Sequence, residues 1–315
     1  MAEVYDVLVV GAGVAGLSAA MYAGRFRLKT AVVGEVIGGA ITLTNEVENY
    51  PGFVKITGAE LIERLREQAL RFGAEIFLDK VIEIRPVGKN CFRARTEGGR
   101  AFTAKAVILA TGTQRRQLGV PGEQEFSGKG VSYCALCDGA FFRGKTVGVV
   151  GGGDGAVKEA LVLAEYADKV YIFARGDRLR AEPINLERLS TNKKIEVVLK
   201  IQIKEIRGDT KVRSVVFDRP LNGKTEMALD GLFIEIGHVP ASGLASALGV
   251  RLNEKGEIVI DREGRTNVPG VFAAGDVCDT KFKQAATSAS EGVAAAYSAY
   301  QYVSEGKFAC DAWAE

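Results

Sequence analysis

The sequence predicts an α/β protein built around two βαβ units, and three observations support this prediction. An apolar, β-branched stretch at residues 5–10 runs directly into a glycine-rich turn and then into a pattern with helical spacing. The same order returns between residues 146 and 173. The 315 residues of the chain are also enough for two domains, each with its own core. Strand, turn, helix and strand are predicted at residues 5–10, 11–16, 17–25 and 28–33, and again at 146–150, 151–156, 157–167 and 169–173.

Further elements are predicted between and after these units. Residues 58–72 place Leu61, Leu65, Ala69 and Phe72 on one side of an amphipathic helix. Residues 106–110 resemble a buried strand, and small residues at 288–302 indicate a closely packed helix. Proline and glycine near residues 120–122 and 237–240 suggest two places where the chain crosses between domains.

The composition argues against membrane and nucleic-acid binding. No run of eighteen apolar residues offers a transmembrane helix, and the formal charge is only +2, with the basic residues scattered. The first predicted strand begins almost at the N-terminus, which leaves no room for a secretion signal. We therefore expect a cytoplasmic protein.

The first turn has the pattern of a dinucleotide site. Gly11, Gly13 and Gly16 match G-x-G-x-x-G between a strand and a helix, where glycines permit a tight turn, the approach of a pyrophosphate and close helix packing. An acidic residue is expected about 20 residues later to bind a ribose, and Glu35 lies near that place.

The second turn satisfies G-x-G-x-x-A through Gly151, Gly153 and Ala156. The strand that follows ends without an acid and is followed by arginines, among them Arg175 and Arg180. Arginines there suit the 2′-phosphate of NADP, although a solvated basic turn is the alternative. Together the two turns predict two Rossmann-like dinucleotide-binding domains.

Cys134 and Cys137 are predicted to form a redox-active dithiol. Two cysteines three apart can close a disulfide across a helical turn, and a cysteine that caps such a turn has a lowered thiol pKa. Asp138 adds a carboxylate that can exchange protons with the dithiol. A zinc site is the alternative, but the other cysteines and His238 show no ligand spacing. Three cysteines are interpreted as small buried or incidental thiols: Cys91, Cys278 and Cys310.

Taken together, these residues resemble the low-molecular-weight thioredoxin reductases over essentially the whole chain. The stretch Cys134–Gly139 differs from that family's Cys-Ala-Thr-Cys-Asp-Gly only at Leu136. Further motifs match in the same order: Gly38-Gly39, Thr44–Gly52, Ala110-Thr111-Gly112, Gly270–Val277 and Lys283-Gln284-Ala285.

The resemblance implies that the second domain is inserted into the first. It gives an FAD-binding domain at residues 1–115 and 241–315 and an NAD(P)-binding domain with the dithiol at residues 116–240. It implies that Asn49, Asp276, Gln284 and Ala285 join Gly11, Gly13, Gly16 and Glu35 around FAD. His238 is interpreted as part of a domain crossing.

The resemblance also implies the roles of the sulfurs and the partner. Cys137 would receive electrons from the flavin, Cys134 would attack the disulfide of thioredoxin or a similar small dithiol protein, and Asp138 would act as general acid. The inserted domain would rotate so that the nicotinamide and the dithiol reach the flavin in turn. A homodimer is expected.

One departure from the family pattern leaves alternatives open. The family has His-Arg-Arg where this chain has Ala174-Arg175-Gly176, so NADPH is the first choice, with NADH, a ferredoxin or a deazaflavin as alternative donors. A peroxiredoxin-reducing protein or a small-molecule dithiol oxidase is a second alternative. A flavin-bound redox sensor without turnover is a third.

Overall fold

Both predicted βαβ units are present in the computed structural model, which describes residues 3–44 and 46–310. Asn45 of the Thr44–Gly52 motif and the outermost residues of the predicted first domain therefore lie outside the described residues. The elements in chain order are β1 (Val4–Gly13), α1 (Val14–Arg25), β2 (Thr30–Gly38), α2 (Gly58–Arg71), β3 (Glu75–Leu78), β4 (Val81–Val87), β5 (Cys91–Thr96), β6 (Ala101–Leu109), β7 (Thr113–Arg115), β8 (Val131–Ser132), α3 (Ala135–Asp138), β9 (Thr146–Val150), α4 (Asp154–Tyr166), β10 (Lys169–Ala174), α5 (Pro183–Thr191), β11 (Ile195–Leu199), β12 (Ile203–Gly208), β13 (Val212–Leu221), β14 (Lys224–Ala228), β15 (Gly231–Ile234), β16 (His238–Pro240), α6 (Gly243–Ala247), β17 (Val271–Ala273) and α7 (Ala285–Glu305).

The chain divides into two compact units. The first unit runs up to Gln114 and resumes at Pro240, and the second unit is Arg115–Val239. The two places where the chain passes between the units lie in β7 and β16, which pair with each other. The stretch at residues 120–122, which the sequence suggested as a crossing, lies inside the second unit, where Ile206 N donates to the Pro121 carbonyl at 2.9 Å.

The first unit is built on a mixed sheet with the strand order β3-β2-β1-β6-β5-β4, and β17 also pairs with β6. Its β1, β2 and β6 are parallel, whereas β4, β5 and β6 form an antiparallel meander. Helices α1, α2 and α7 bury one face of the sheet, because their apolar side chains form one core with the inward residues of the parallel strands.

Helices α1 and α7 pack with their backbones almost in contact. A Cβ atom added to Gly292 of α7 would lie 2.2 Å from the carbonyl oxygen of Ala15 in α1, so only glycine fits there. Helix α7 thus rests directly on α1, which explains the small residues that the sequence places in α7.

The second unit repeats the parallel design. Its sheet has the order β11-β10-β9-β15-β8, and its neighbouring strands are parallel. Helices α3, α4 and α5 contribute to the core on one face, and the antiparallel meander β12-β13-β14 covers the other. The parallel strands of both sheets are buried on both faces, as is usual for parallel strands. The predicted class, α/β with two Rossmann-like domains, is confirmed.

Two local predictions require correction. Helices α1 and α4 begin at Val14 and Asp154, before the predicted starts, so that Gly16 and Ala156 lie in first helical turns. In α2 the residues Leu61, Leu65 and Ala69 are buried as predicted, but Phe72 follows the end of the helix and is 36% exposed. Among the described residues, no helix is long and apolar enough to cross a membrane.

Candidate active site

The two predicted active-site cysteines are bonded to each other across one short helical turn. Their sulfurs form a disulfide, with the Cα atoms of Cys134 and Cys137 5.3 Å apart. Cys134 is the N-cap residue of α3, and its Sγ accepts a hydrogen bond from the Cys137 N–H at 3.1 Å. An N–H that points at this sulfur stabilises negative charge on it when the bond is broken. Cys134 is buried, whereas Cys137 is exposed.

Ser132 connects the dithiol to the carboxylate of Asp138. Its Oγ donates to Asp138 Oδ2 at 2.6 Å and accepts from the Cys134 N–H at 3.1 Å. The carboxylate is therefore held in one orientation by the residue that also fixes the backbone of Cys134. Sequence reasoning missed Ser132, because a serine two residues before a cysteine has no distinctive pattern.

A second carboxylate touches the dithiol turn from the neighbouring helix. Glu159 of α4 accepts a hydrogen bond from the Ala135 N–H at 2.5 Å. Burial and the nearby Glu235 raise the pKa of Glu159 to about 7, although the Ala135 N–H and Arg115 oppose this shift. The sequence contains a signal for Glu159 that was not used, because it lies three residues after Ala156 and four before Leu163 on the buried face of α4.

The residue before Cys134 is also anchored by a carboxylate. Tyr133 donates its hydroxyl to Glu123 Oε1 at 2.7 Å, and the same buried carboxylate accepts from the N–H groups of Leu118 and Gly119. Burial and this hydrogen bond raise the pKa of Tyr133 to about 12, so that it remains a donor at neutral pH. The segment that enters the second unit is thereby fastened to the start of the dithiol loop.

The first glycine turn has the geometry that a dinucleotide requires. Gly11 has a φ of +111°, and a Cβ added there would lie 2.1 Å from the carbonyl oxygen of Ala110. At Gly16 an added Cβ would lie 1.9 Å from the carbonyl oxygen of Gly11. At Gly13, by contrast, the nearest described atom beyond its chain neighbours, the carbonyl oxygen of Gly38, would lie 3.7 Å from an added Cβ, so the backbone there is open to a ligand. Glycine thus permits close packing at Gly11 and Gly16, and it leaves the backbone accessible to a ligand at Gly13.

Helix α1 begins without groups that would compete with a phosphate. Its N-cap, Gly13, makes no side-chain capping bond, and its first turn contains no acidic residue. The first N–H groups of a helix are unpaired and carry the positive end of the helix dipole, so this end suits an anionic pyrophosphate.

The other predicted flavin residues of the first unit lie around the same turn or contact each other. Glu35 lies in β2 where the pairing with β1 shifts register, between the pairs Val10–Val33 and Ala12–Ile37. It is exposed, and Lys80 lies 3.6 Å from its carboxylate. The side-chain amide of Asn49 donates to Gln284 Oε1 at 3.2 Å, and Gln284 is the N-cap of α7, which begins at Ala285.

Asp276 approaches the start of α1 through its neighbour. A Cβ added to Gly275 would lie 2.9 Å from the Cβ of Ala15, and Ser288 of α7 donates to Asp276 Oδ1 at 3.3 Å. The end of the β17 segment, α7 and the first glycine turn therefore meet at one edge of the sheet. An open, uncapped helix start with polar side chains beside it fits a flavin dinucleotide.

The second glycine turn is similar but carries an acid. Apart from its chain neighbours, no atom of the described residues lies within 4 Å of a Cβ added to Gly153, and Gly153 makes no side-chain cap at the start of α4. Asp154 in the first turn is directed away, because it accepts from Glu182 N and Asn185 Nδ2, each at 2.9 Å, and pairs with Lys158 at 2.7 Å. Burial opposes the ionisation of Asp154, but these bonds outweigh it and lower its pKa.

The two predicted arginines lie beside this turn. Arg175 directly follows β10 and is exposed. Arg180 is also exposed, and its N–H donates to the Gly152 carbonyl at 2.7 Å, which ties its backbone to the glycine turn. Ala156 is buried within the first turn of α4. The arginines and the open glycine backbone fit a pyridine nucleotide with its phosphates at the helix start.

The interpretation of Cys91 and Cys310 as incidental thiols is wrong. They form a disulfide across 219 residues, because Lys89 and Ala309 exchange two backbone hydrogen bonds and bring the chain end beside the start of β5. Cys278 is the free cysteine; burial raises its pKa and makes it unreactive. Within the part of the chain that the structure describes, no group of three or more His, Cys, Asp or Glu side chains is arranged to hold a metal ion.

Comparison with known proteins places this geometry in a family. Residues 5–292 match the pyridine nucleotide-disulphide oxidoreductase family. The chain is 44% identical to a thioredoxin reductase of Listeria innocua, over 98% of this chain and 97% of the relative. It is 46% identical to a thioredoxin reductase of Treponema pallidum, over 95% of this chain and 97% of the relative.

Solved structures give the same result. The thioredoxin reductase of Lactococcus lactis superposes with a TM-score of 0.91 at 42% identity, covering 96% of this chain and 99% of the other. That of T. acidophilum gives a TM-score of 0.89 at 37% identity, covering 95% and 99%. The chain therefore belongs to the pyridine nucleotide-disulphide oxidoreductases, in the group that contains the thioredoxin reductases.

Proposed function

We propose that this protein is an FAD-dependent thioredoxin-disulfide reductase that takes electrons from NADPH. The observation that carries the proposal is the Cys134–Cys137 bond, which lies at the start of a helical turn in the same unit as the second glycine turn. A disulfide in that position can be reduced and re-formed, because the N-cap geometry stabilises a thiolate.

In this proposal the first unit holds FAD and the second holds the pyridine nucleotide. FAD, when bound, would accept a hydride from the reduced nucleotide and pass an electron pair to the disulfide. The start of α1 would bind the flavin pyrophosphate, and Asn49 with Gln284 would orient the flavin through their joined amides. The full proposed set is Gly11, Gly13, Gly16, Glu35, Asn49, Asp276, Gln284 and Ala285 for FAD, and Gly151, Gly153, Ala156, Arg175 and Arg180 for the nucleotide.

Three residues of the dithiol turn would carry out the steps that follow flavin reduction. Cys137 would receive the electron pair, Cys134 would attack the disulfide of thioredoxin, and Asp138, held by Ser132 at 2.6 Å, would supply the proton to the leaving sulfur. Because Cys134 is buried, its role requires a rearrangement that uncovers its sulfur for the protein partner. The exposed Cys137 gives the opposite assignment a specific observation in its favour.

Trapping a mixed disulfide distinguishes the two assignments. The proposal expects Cys137→Ser, which retains Cys134, to form a stable adduct with a thioredoxin variant that lacks its resolving cysteine. Cys134→Ser should form none. Cys134→Ser should also lose turnover with thioredoxin while its flavin is still reduced by NADPH. An adduct formed only by Cys134→Ser would reverse the roles, and normal turnover by that variant would refute the proposal.

Anaerobic titration identifies the electron donor. NADPH and NADH are added separately to the purified protein while the flavin absorbance is followed. We expect NADPH to bleach the flavin at lower concentration, because Arg175 and Arg180 are free to meet a 2′-phosphate. Bleaching by neither nucleotide would exclude the pyridine nucleotide assignment and favour a ferredoxin or a deazaflavin.

The family resemblance also leads us to propose a homodimer that acts in the cytoplasm with thioredoxin, or a similar small dithiol protein, as its partner. Light scattering of the purified protein tests the dimer, and a mass of one chain would contradict it. Steady-state assays with thioredoxin, a peroxiredoxin and a small-molecule disulfide rank the substrates. If a peroxiredoxin or a small-molecule disulfide is reduced faster than thioredoxin, that substrate replaces thioredoxin in the proposal.

A further inference from the structure

Helix α4 places a carboxylate on the peptide group that follows Cys134. The Oε2 atom of Glu159 lies 2.5 Å from the Ala135 nitrogen. That nitrogen is bonded to the carbonyl carbon of Cys134, whose sulfur accepts from the Cys137 N–H at the other side of the same turn. The turn thus presents one N–H to the sulfur and another to the carboxylate, so both groups are held by the free N–H groups of one short helical turn.

Three charged residues on different elements of the second unit bear on the charge of Glu159 or lie next to it. Glu235, which follows β15, opposes its ionisation, and Arg115 of β7 favours it. Arg115 is shared, because its guanidinium lies 3.7 Å from the Glu235 carboxylate. On α4 itself, Lys158 is directed to Asp154, at 2.7 Å. Among the described residues Glu159 therefore has no ion pair of its own, and it lies half-buried near Glu235, whose pKa burial also raises.

We propose that Glu159 is a positioning residue that shares a proton with the Cys134 sulfur, so that the carboxylate is protonated when Cys134 becomes a thiolate. The proposal deepens the reductase function proposed above and rests on it. It goes beyond the assigned acid, Asp138, which is held on the other side by Ser132. Two negative charges on groups that accept hydrogen bonds from the same short turn would repel each other, and one proton removes this repulsion.

The proposed step balances in atoms and electrons. The Cys134–Cys137 bond breaks when it accepts two electrons from the reduced flavin, which leaves two sulfurs with two negative charges. One proton neutralises Cys137, and a second is taken up by the pair formed by Cys134 and Glu159. When Cys134 attacks a substrate disulfide as a thiolate, it forms a mixed disulfide and one substrate sulfur leaves, while the second proton is on Glu159. Cys137 then attacks the Cys134 sulfur, the Cys134–Cys137 bond forms again, the other substrate sulfur leaves, and the two protons pass to the two substrate sulfurs.

Alkylation of a single thiol tests the proposal. In a Cys137→Ser background, the rate at which iodoacetamide modifies Cys134 is measured from pH 5 to pH 10 on the Cys134 peptide by mass spectrometry. Adding Glu159→Gln removes the charge and keeps an oxygen that accepts the Ala135 N–H. We expect the midpoint of the alkylation profile to fall by about one pH unit, which is about a tenfold gain in thiolate below the midpoint.

Two further variants separate charge from packing. Glu165→Gln removes an exposed carboxylate from the same helix and should leave the profile unchanged. Glu159→Asp keeps the charge on a shorter side chain and should keep the midpoint close to that of the parent protein. An unchanged midpoint in Glu159→Gln would overturn the proposal, as would an equal fall in Glu159→Asp or Glu165→Gln.

The outcome is independent of the proposed function. Turnover of thioredoxin by the wild-type protein tests the reductase activity, whereas the alkylation profile tests the coupling of Glu159 to Cys134. Turnover without a shift refutes the role of Glu159 alone. A shift without turnover on any disulfide refutes the reductase proposal and retains the coupled proton.

Discussion

The side-chain amide of Asn49 donates a hydrogen bond at 3.2 Å to Gln284, which lies 235 residues later in the chain. The bond joins a loop before α2 to the N-cap of α7, at the side of the first unit proposed to hold the flavin. Two residues selected only through a family resemblance are thus in direct contact.

Replacing Gln284 with Ala is expected to weaken flavin binding about fivefold, since a hydrogen bond of this kind contributes roughly 1 kcal/mol. The substitution removes the acceptor of the Asn49 amide. The ratio of flavin absorbance to protein absorbance after dialysis gives the measurement. Gln301→Ala, which removes an exposed bond to Arg265 from the same helix, is the matched control. Equal flavin loss from both variants would contradict a specific role for Gln284.

Replacing Ser132 with Ala is expected to slow thioredoxin reduction about tenfold, a part of the 10²–10⁴-fold that a positioned acid contributes. The reason is that Asp138 loses the hydroxyl that orients its carboxylate at 2.6 Å. Stopped-flow reduction of the flavin by NADPH should stay at the wild-type rate. Ser190→Ala on α5 is the control. If the rate of flavin reduction by NADPH falls as well, the substitution has disturbed the fold in general.

Replacing Arg175 or Arg180 with Ala is expected to raise the KM for NADPH about tenfold, because each charge-assisted bond to a phosphate contributes roughly 1.5–3 kcal/mol. The KM for NADH should stay the same, since NADH lacks the 2′-phosphate. Lys193→Ala removes an exposed positive charge elsewhere in the unit and serves as the control. If the KM values for NADPH and NADH rise together, the arginines bind a part of the nucleotide that both donors have, and not the 2′-phosphate.

Glu159 is expected to make the oxidised protein less stable as the pH rises. Its pKa is about 7 in the folded protein against an ordinary value of 4.5, so the folded state binds the extra proton between those values. The free energy of unfolding should therefore fall by up to about 3 kcal/mol between pH 4.5 and 7, relative to Glu159→Gln. Urea unfolding of both proteins at pH 5 and pH 8 measures the difference. If the free energy of unfolding changes equally with pH in both proteins, the pKa of Glu159 is not raised in the folded state.

Breaking the Cys91–Cys310 bond is expected to destabilise the protein by up to about 5 kcal/mol, since it closes a loop of 219 residues. Urea unfolding of Cys310→Ser and wild type without reductant gives the measurement, and the two curves should approach each other when dithiothreitol is added. Thiol titration of the unfolded oxidised wild type should find one thiol, from Cys278. Three thiols would mean that the bond is absent from the purified protein.

The features that could be predicted from the sequence are those determined by neighbours along the chain. The two glycine turns lie between strand and helix patterns, so the turns around Gly13 and Gly153 could be predicted without a structure. The spacing of Cys134 and Cys137 matches one helical turn, which is why their bond could be predicted.

The features that could not be predicted depend on packing between distant segments. Cys91 meets Cys310 because the chain end pairs with residue Lys89, and no local pattern records that pairing. Glu159 reaches Ala135 only because α4 packs beside α3, so its pattern marks it as an acid at a core position and does not identify the group that it contacts. Phe72 was placed on the buried face because the predicted helix was continued one residue too far.

The close packing of Gly292 in α7 against Ala15 in α1 determines when the first unit can finish folding during synthesis. The ribosome releases the first glycine turn before the inserted unit and α7 only after it. Until α7 emerges, the apolar side of β1 and α1 is covered by α2 alone, whereas the whole of Arg115–Val239 is already available. The inserted unit is thus able to mature first, and the outer unit must wait for its last helix before it can retain a cofactor.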